Sequence, residues 1–309
     1  MNVNWLFIPT LAISGLFFVV GAGSIRCCGT PAGKAGVAAL WLVLGIPGFL
    51  FPLYYLHGFD HAKWFYEFRS LPGAELTAAG AGLFAGALAE LMRGSRWFSR
   101  PFWAILLGLG IVAPYLKPVI APLPSRHFLD HWQDGVCLQS TQASCGAACA
   151  ATVFRMYGFE LTEREIAREC HTCLSGTENW YLARAFRRRG CVVTYRLTEG
   201  LPTDLRLPAL AGIRVGGIGH FIVIKEHAKG RFVIGDPLAG RQEVPDNQVT
   251  RQFDFTGFFM EVQGKHLSAR GFPALRATGN GDILAAPTGR ENAQPVARNS
   301  ELAGNGKGK

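Results

Sequence analysis

A cysteine at position 145 opens a run of small apolar residues, and a glutamine lies six positions before it in the stretch QSTQASCGAAC. The following residues, GAACAATVFRMYG, suit a helix that closes at Gly158. A helix N-terminus carries partial positive charge and unpaired N–H groups, which favour thiolate over thiol and receive a developing oxyanion. Cys145 therefore has the setting of a nucleophile, and the Gln139 amide is a candidate second oxyanion donor. Such a site also needs a base and a group to orient it. The stretch GHFIVIKEHAKGRFVIGDP, from Gly219, reads as a hairpin with apolar strands at Phe221–Ile224 and Phe232–Ile234 and a turn at His227–Gly230. His220 opens the first strand and Asp236 closes the second. The midpoint between them falls in the turn, so their side chains should meet across the ladder. An aspartate accepting from Nδ1–H would leave Nε2 of His220 free to take the Cys145 proton.

Gln139-x5-Cys145-Gly146, then Gly219-His220-Phe221 at a strand start, then Asp236-Pro237, resemble the papain-like cysteine peptidases that remove double-glycine leaders from bacteriocin precursors. The resemblance covers about Val136 to Gln263. It implies Cys145 as nucleophile, His220 as general base, Asp236 as orienting residue and Gln139 as the oxyanion-hole side chain. It also implies a peptide substrate cut after Gly-Gly and no cofactor or metal. Proteins of this kind usually carry the peptidase ahead of a transporter membrane region and an ATPase, whereas here apolar segments come first. The chain has no G-x-x-x-x-G-K-[ST] phosphate loop, so an ABC-type exporter working with it would be a separate protein.

Charge is distributed unevenly. Residues 1–126 hold nine Lys/Arg and four Asp/Glu, residues 127–264 hold fifteen of each, and residues 265–309 hold seven and three. The neutral middle part argues against a nucleic-acid footprint, which would concentrate basic charge on the folded module. Four apolar segments fill the first part: Trp5–Gly23, Gly36–Leu56, Leu76–Met92 and Pro101 to about Leu123. Each approaches the roughly 20 residues that cross a bilayer, and only Glu90 and Lys117 interrupt them. The expected architecture is thus an α-helical membrane region of four spans (1–126), an α+β papain-like peptidase domain (127–264) and a disordered basic tail (265–309), in an inner or plasma membrane. Arg26 and Lys34 in the first loop, and Arg93, Arg96 and Arg100 in the third, outweigh Lys63 and Arg69 in the longer second loop. The positive-inside rule then favours the outer face for the peptidase, whereas the resemblance to transporter-linked peptidases implies the cytosolic side.

Within the soluble part, Thr162 with Glu165 and Ser175 with Glu178 read as capping boxes for helices ending near Glu169 and Gly190. Arg187, Arg188 and Arg189 complement the second helix's dipole. Strands are expected at Cys191–Leu197, Ala209–Val215, the hairpin, and Gly257–Val262. In an oxidising compartment Cys170 could pair with Cys173, or Cys137 with Cys191. Cys170-His171-Thr172-Cys173 lacks the second pair of ligands that structural zinc needs. Cys27 and Cys28, beside the first span, suit interfacial packing or palmitoylation. His57-x-x-Asp60-His61 and His127-x-x-Asp130-His131 read as interfacial histidines with capping aspartates, although two helical His pairs could share a metal.

Three functions fit these residues: a membrane-anchored cysteine endopeptidase, a non-catalytic module that docks leader peptides, and a thiol transferase or amidase using the same residues on another acyl donor.

Overall fold

The computed structural model describes residues 4–54, 58–59, 62–94 and 100–264, all within one compact unit. The tail and the first histidine segment, His57, Asp60 and His61, lie outside the described residues.

The first part is helical: α1 (Phe7–Cys27), α2 (Pro31–Tyr54), a short α3 (Lys63–Arg69), a 3-10 segment (Ala74–Gly80) running into α4 (Ala81–Leu91), and α5 (Arg100–Ile120). Small residues let α4 sit at the centre, against α1, α2 and α5. A Cβ on Gly86 would lie 2.0 Å from the Phe18 carbonyl oxygen, so α1 and α4 meet backbone to backbone. Large apolar side chains face outward: Leu16, Val19, Val43, Ile105 and Leu109 are each at least 60% exposed.

The expected count of four membrane-length helices is corrected to three among the described residues: Phe7–Cys27, Pro31–Phe51 and Ala74–Leu91. The fourth segment qualifies only as a shorter apolar helix, Pro101–Val112. Beyond it, Lys117 is ion-paired at 2.7 Å with Glu178 of the second part, so that end of α5 is docked on protein.

The second part is α+β. A small hairpin, β1 (His131–Gln133) and β2 (Val136–Leu138), precedes α6 (Cys145–Met156), α7 (Glu163–Glu169) and α8 (Asn179–Arg188). Then come β3 (Cys191–Leu197), β4 (Ala209–Val215), β5 (Ile218–Ala228), β6 (Arg231–Asp236), β7 (Gly240–Pro245), α9 (Asp246–Gln252) and β8 (Asp254–Gly264). The last six strands form one antiparallel sheet in the order β3-β8-β4-β5-β6-β7. Period-two alternation divides its side chains between two cores. Leu210, Val223 and Met260 pack with α6 and α8, while Ala211, Ile222, Ile224 and Phe259 pack with Val249 of α9.

The Thr162–Glu165 capping box forms. The Ser175–Glu178 box does not, because α8 starts later, with Glu178 at its N-cap and no side-chain cap bond. In the second histidine segment Asp130 has φ 50° and His131 opens β1, so no helical His pair exists there. None of the eight cysteines is in a disulfide.

The two parts are joined by a polar seam. Arg184 of α8 donates to Glu75 at 2.7 Å and to the Arg69 carbonyl, and both ionised side chains are buried. The Arg69 guanidinium is stacked between Phe51 and Trp180, 4.3 and 4.4 Å from their ring centres. Arg187 reaches Glu67 at 2.7 Å, and Asn4 donates to the Tyr181 hydroxyl at 3.3 Å. Arg188 and Arg189 both pair with Glu169, so each member of the arginine run has a carboxylate partner.

Candidate active site

Cys145 is the first residue of α6. Its N-cap, Ser144, makes no side-chain cap: its hydroxyl is engaged with Thr141 instead, which leaves the first-turn N–H groups of α6 open. Gly146 leaves room beside the thiol, since a Cβ there would press on the Thr177 and Leu182 side chains at 3.1 and 3.2 Å.

His220 and Asp236 come together as the spacing predicts, but by a different register. The β5–β6 turn is the two-residue Lys229-Gly230, at φ 53° and 71°, rather than His227–Gly230. A bulge between Ile224 and Glu226 then shifts the ladder so that Val223 faces Gly235. Continued by one residue, that register sets Asp236 opposite Ile222, which makes His220 its diagonal neighbour on the same face. A diagonal pair stands about 7–8 Å apart at Cα, still within reach of a long side chain.

The ring is also turned over relative to the expected tautomer. His220 Nε2, not Nδ1, meets Asp236 Oδ1, at 2.9 Å. The imidazole also hydrogen-bonds the Cys145 side chain, so Nδ1 is the atom left to face the thiol. Asp236 Oδ1 is fixed by a second donor, the Leu238 N–H at 2.8 Å. Burial alone would lower the His220 pKa, but the bonds to Asp236 and Cys145 outweigh it and raise it from 6.5 to about 9. The ring is thus cationic at neutral pH, and a cation beside a thiol is the charge partner that a thiolate nucleophile uses.

Gln139 is joined to this group through its backbone, whose N–H donates to the Pro237 carbonyl at 2.9 Å, one residue past Asp236. Its side-chain amide donates to the Thr141 carbonyl at 2.9 Å, and Oε1 is buried with no partner among the described residues. Cys145 and His220 line an open cleft of about 850 Å³, and Gln139 is not among its lining residues.

Two buried groups support the site: Glu163, which sequence reasoning passed over, and Cys149, which it reads as a packed core thiol one turn beyond Cys145. Glu163 is wholly buried and accepts from the Ser140 N–H at 3.0 Å and from the Ser140 hydroxyl, which fixes the loop carrying Gln139. Its signal was its place in the first turn of a capped helix. Cys149, one turn beyond Cys145, donates to the Phe221 carbonyl at 3.1 Å, immediately behind His220. Burial, and after it the neighbouring Cys145, pushes the Cys149 pKa well up, so it remains a thiol. No group of His, Cys, Asp and Glu among the described residues is arranged to hold a metal.

An α+β domain with a helix-borne thiol facing a strand-borne imidazole and carboxylate has the arrangement of a papain-like thiol hydrolase. The chain belongs to the peptidase C39 family, whose model matches residues 134–265. It is 34% identical over 103 residues to an uncharacterized protein of Methanothermobacter marburgensis, a stretch covering 33% of this chain and 71% of that protein. It is 27% identical over 151 residues to the "Probable functional amyloid protease FapD" of Pseudomonas aeruginosa, covering 44% of this chain and 63% of the relative. Among solved structures, the peptidase domain of Streptococcus ComA, a bifunctional ABC transporter of a quorum-sensing pathway, matches at 18% identity and TM-score 0.38. That match covers 44% of this chain and the whole of that domain. A double glycine motif protease from an AMS/PCAT transporter, solved with its leader peptide, matches at 23% identity and TM-score 0.37, over 42% of this chain and 91% of that one.

Proposed function

We propose that this protein is a membrane-anchored cysteine endopeptidase of the double-glycine leader-processing type, with its catalytic part in residues 127–264. The observation that carries the reading is the alignment of Cys145 at an open helix N-terminus, His220, and Asp236 at 2.9 Å from the imidazole. The Cys145 sulfur attacks the scissile carbonyl carbon, and the first-turn N–H groups of α6 receive the oxyanion. His220 passes a proton from Nδ1 to the leaving amine, and Asp236 keeps the ring turned so that this nitrogen faces the bond. Water then attacks the thioester, giving one proton to His220 and releasing the carboxylic acid, and Cys145 leaves as the thiolate beside the imidazolium. Gln139 becomes an oxyanion donor if its amide turns from the Thr141 carbonyl when substrate binds. The peptidase C39 family match supports a peptide substrate, and the Gly-Gly site follows from the resemblance of Gln139-x5-Cys145-Gly146, Gly219-His220-Phe221 and Asp236-Pro237 to double-glycine leader peptidases.

The outward apolar side chains of α1, α2 and α5 support anchoring in a bilayer. With α5 as a fourth, shorter crossing, which agrees with Asn4 and Glu75 both meeting α8, the basic first and third loops support an outer location for the catalytic part. A separate ABC-type exporter is the partner we expect where export is coupled to cleavage.

The test is cleavage, by the full chain in detergent, of peptides with and without Gly-Gly, beside Cys145→Ala and His220→Ala. Cleavage after Gly-Gly that both substitutions abolish supports the reading. Binding of leader peptides without cleavage by the native chain replaces it with the docking function.

A further inference from the structure

The connection between the second and third apolar helices reaches into the catalytic cleft. Tyr66, on α3, lines the same cleft as Cys145 and His220, although it lies 79 residues before the cysteine and outside the span matched by the family. Its ring packs on Tyr195 and Phe258, with centroids 5.6 Å away in each case, and Phe258 packs on Phe221 at 5.8 Å. Phe221 follows His220 directly. An aromatic row of Tyr66, Phe258 and Phe221 thus runs along the cleft from the helical region to the neighbour of the catalytic imidazole, with Tyr66, 6% exposed, at its helical end.

Two anchors hold α3 in place. Glu67 pairs with Arg187 at 2.7 Å, and Arg69 is clamped between Phe51 of α2 and Trp180 of α8. A separate stretch of the cleft wall depends on α5. The Leu174 N–H donates to the Ala121 carbonyl at 3.0 Å, and Pro122 forms a bridge with Cys173. Lys117 holds Glu178 at 2.7 Å. The loop so fixed supplies Ser175, Gly176, Thr177 and Asn179 to the cleft.

We propose that the helical region forms part of the substrate cleft, with Tyr66 as a specificity-determining wall that receives an apolar side chain of the bound peptide. The fit is chemical: three adjoining aromatic rings offer an apolar, rigid surface beside the reacting centre. The proposal rests on the peptidase reading for the identity of the occupant, and the test separates the two.

Benzoylphenylalanine placed at position 66 of the full-length Cys145→Ala protein should crosslink a labelled Gly-Gly peptide bearing leucine or phenylalanine upstream, and unlabelled peptide should compete. The same group at Trp64, which is 53% exposed, should not. In the active chain, Tyr66→Ala should lower kcat/KM about tenfold for peptides with the apolar side chain, mainly through KM, as expected for one lost apolar contact in a specificity pocket. Peptides with serine at that position should be little affected, Tyr66→Phe should restore the native preference, and alkylation of Cys145 should keep its native rate. Absence of the crosslink at position 66, or equal loss on all peptides, overturns the proposal. Competed crosslinking at position 66, together with a native chain that cuts none of the peptides, sinks the peptidase reading and leaves Tyr66 in the cleft wall.

Discussion

In the helical region large apolar side chains such as Leu16, Val43 and Ile105 face outward, while Thr10, Ser14 and Glu75 are buried. In the α+β region the largest apolar side chains lie inside: Phe154, Trp180, Tyr195 and Phe259 are fully buried. The first arrangement stabilises a protein whose surroundings are themselves apolar, because there burying a large side chain gains little and close backbone contact between small residues does the joining. The second suits a domain in water, where burial of apolar area is the main driving force. The seam must satisfy both, and it does so with ion pairs and stacked guanidinium groups beside the aromatic contacts of Tyr66 with Tyr195 and Phe258. Its buried charges tie the catalytic part to the helices in one orientation, as a register device would.

The sharpest separation of the two regions comes from the catalytic centre. Cys145→Ala or His220→Ala should reduce kcat on the order of 10^4-fold or more, since members of a triad act as a unit. Thermal unfolding of the full chain in detergent should stay within about 1–2 kcal/mol of native for Cys145→Ala, a modest truncation. Retention of Gly-Gly cleavage in either variant would remove the assigned chemistry.

Arg184 tests the seam. Arg184→Ala leaves Glu75 buried and unpaired, and breaking a buried pair in this way costs about 3–5 kcal/mol. Loss of the helical and catalytic parts in one transition is the expected unfolding behaviour. Replacing both partners by methionine should recover most of the loss. Recovery without any change in peptide cleavage would show that the ion pair supplies only cohesion, whereas altered specificity would show that it sets the position of α3.

Much of this centre was legible in the sequence, and what was missed has physical reasons. The juxtaposition of Cys145, His220 and Asp236 was recoverable because a thiol at a helix mouth and a histidine on a hairpin leave short-range patterns. The Asp134-Gly135 turn of β1–β2, with φ 48° and 70°, was an equally local signal that went unread. The ring orientation of His220 was not legible, since it depends on a one-residue bulge that shifts which atoms face each other. Tyr66 was hidden for a different reason: its neighbours, Tyr195 and Phe258, are 129 and 192 residues away, and no periodicity encodes such a contact. The apolar segments were visible as composition, and three helices among the described residues reach membrane-crossing length.

The pH dependence sharpens the account of the catalytic side. Because the folded state raises the His220 pKa from 6.5 to about 9, its contribution to stability is fully present below pH 6.5 and is lost as pH rises through 9. Activity that needs the imidazolium should fall over the same alkaline limb, as a macroscopic property of the thiol–imidazole pair. Asp236→Asn removes the negative partner while burial still opposes the charge, so the limb should move to lower pH and kcat should fall roughly 10- to 100-fold, a loss of about 1.4–2.7 kcal/mol. An unmoved limb in a kcat/KM profile would mean that Asp236 positions the ring without setting its charge.

The smallest effect is expected one turn along α6. Burial pushes up the pKa of Cys137, Cys149, Cys170 and Cys191, so these should resist iodoacetamide at neutral pH, while Cys145, facing the cleft, should react. In the helical region Cys27 is exposed and should label as well. Cys149→Ser keeps a donor for the Phe221 carbonyl and should leave cleavage near native. Cys149→Ala removes that donor behind His220 and should cost about 1–3 kcal/mol of stability through the unsatisfied carbonyl. A loss of activity in the serine variant comparable to that of Cys145→Ala would make Cys149 part of the chemistry, and peptide mapping of the alkylated sites would show which thiol the native chain presents to the cleft.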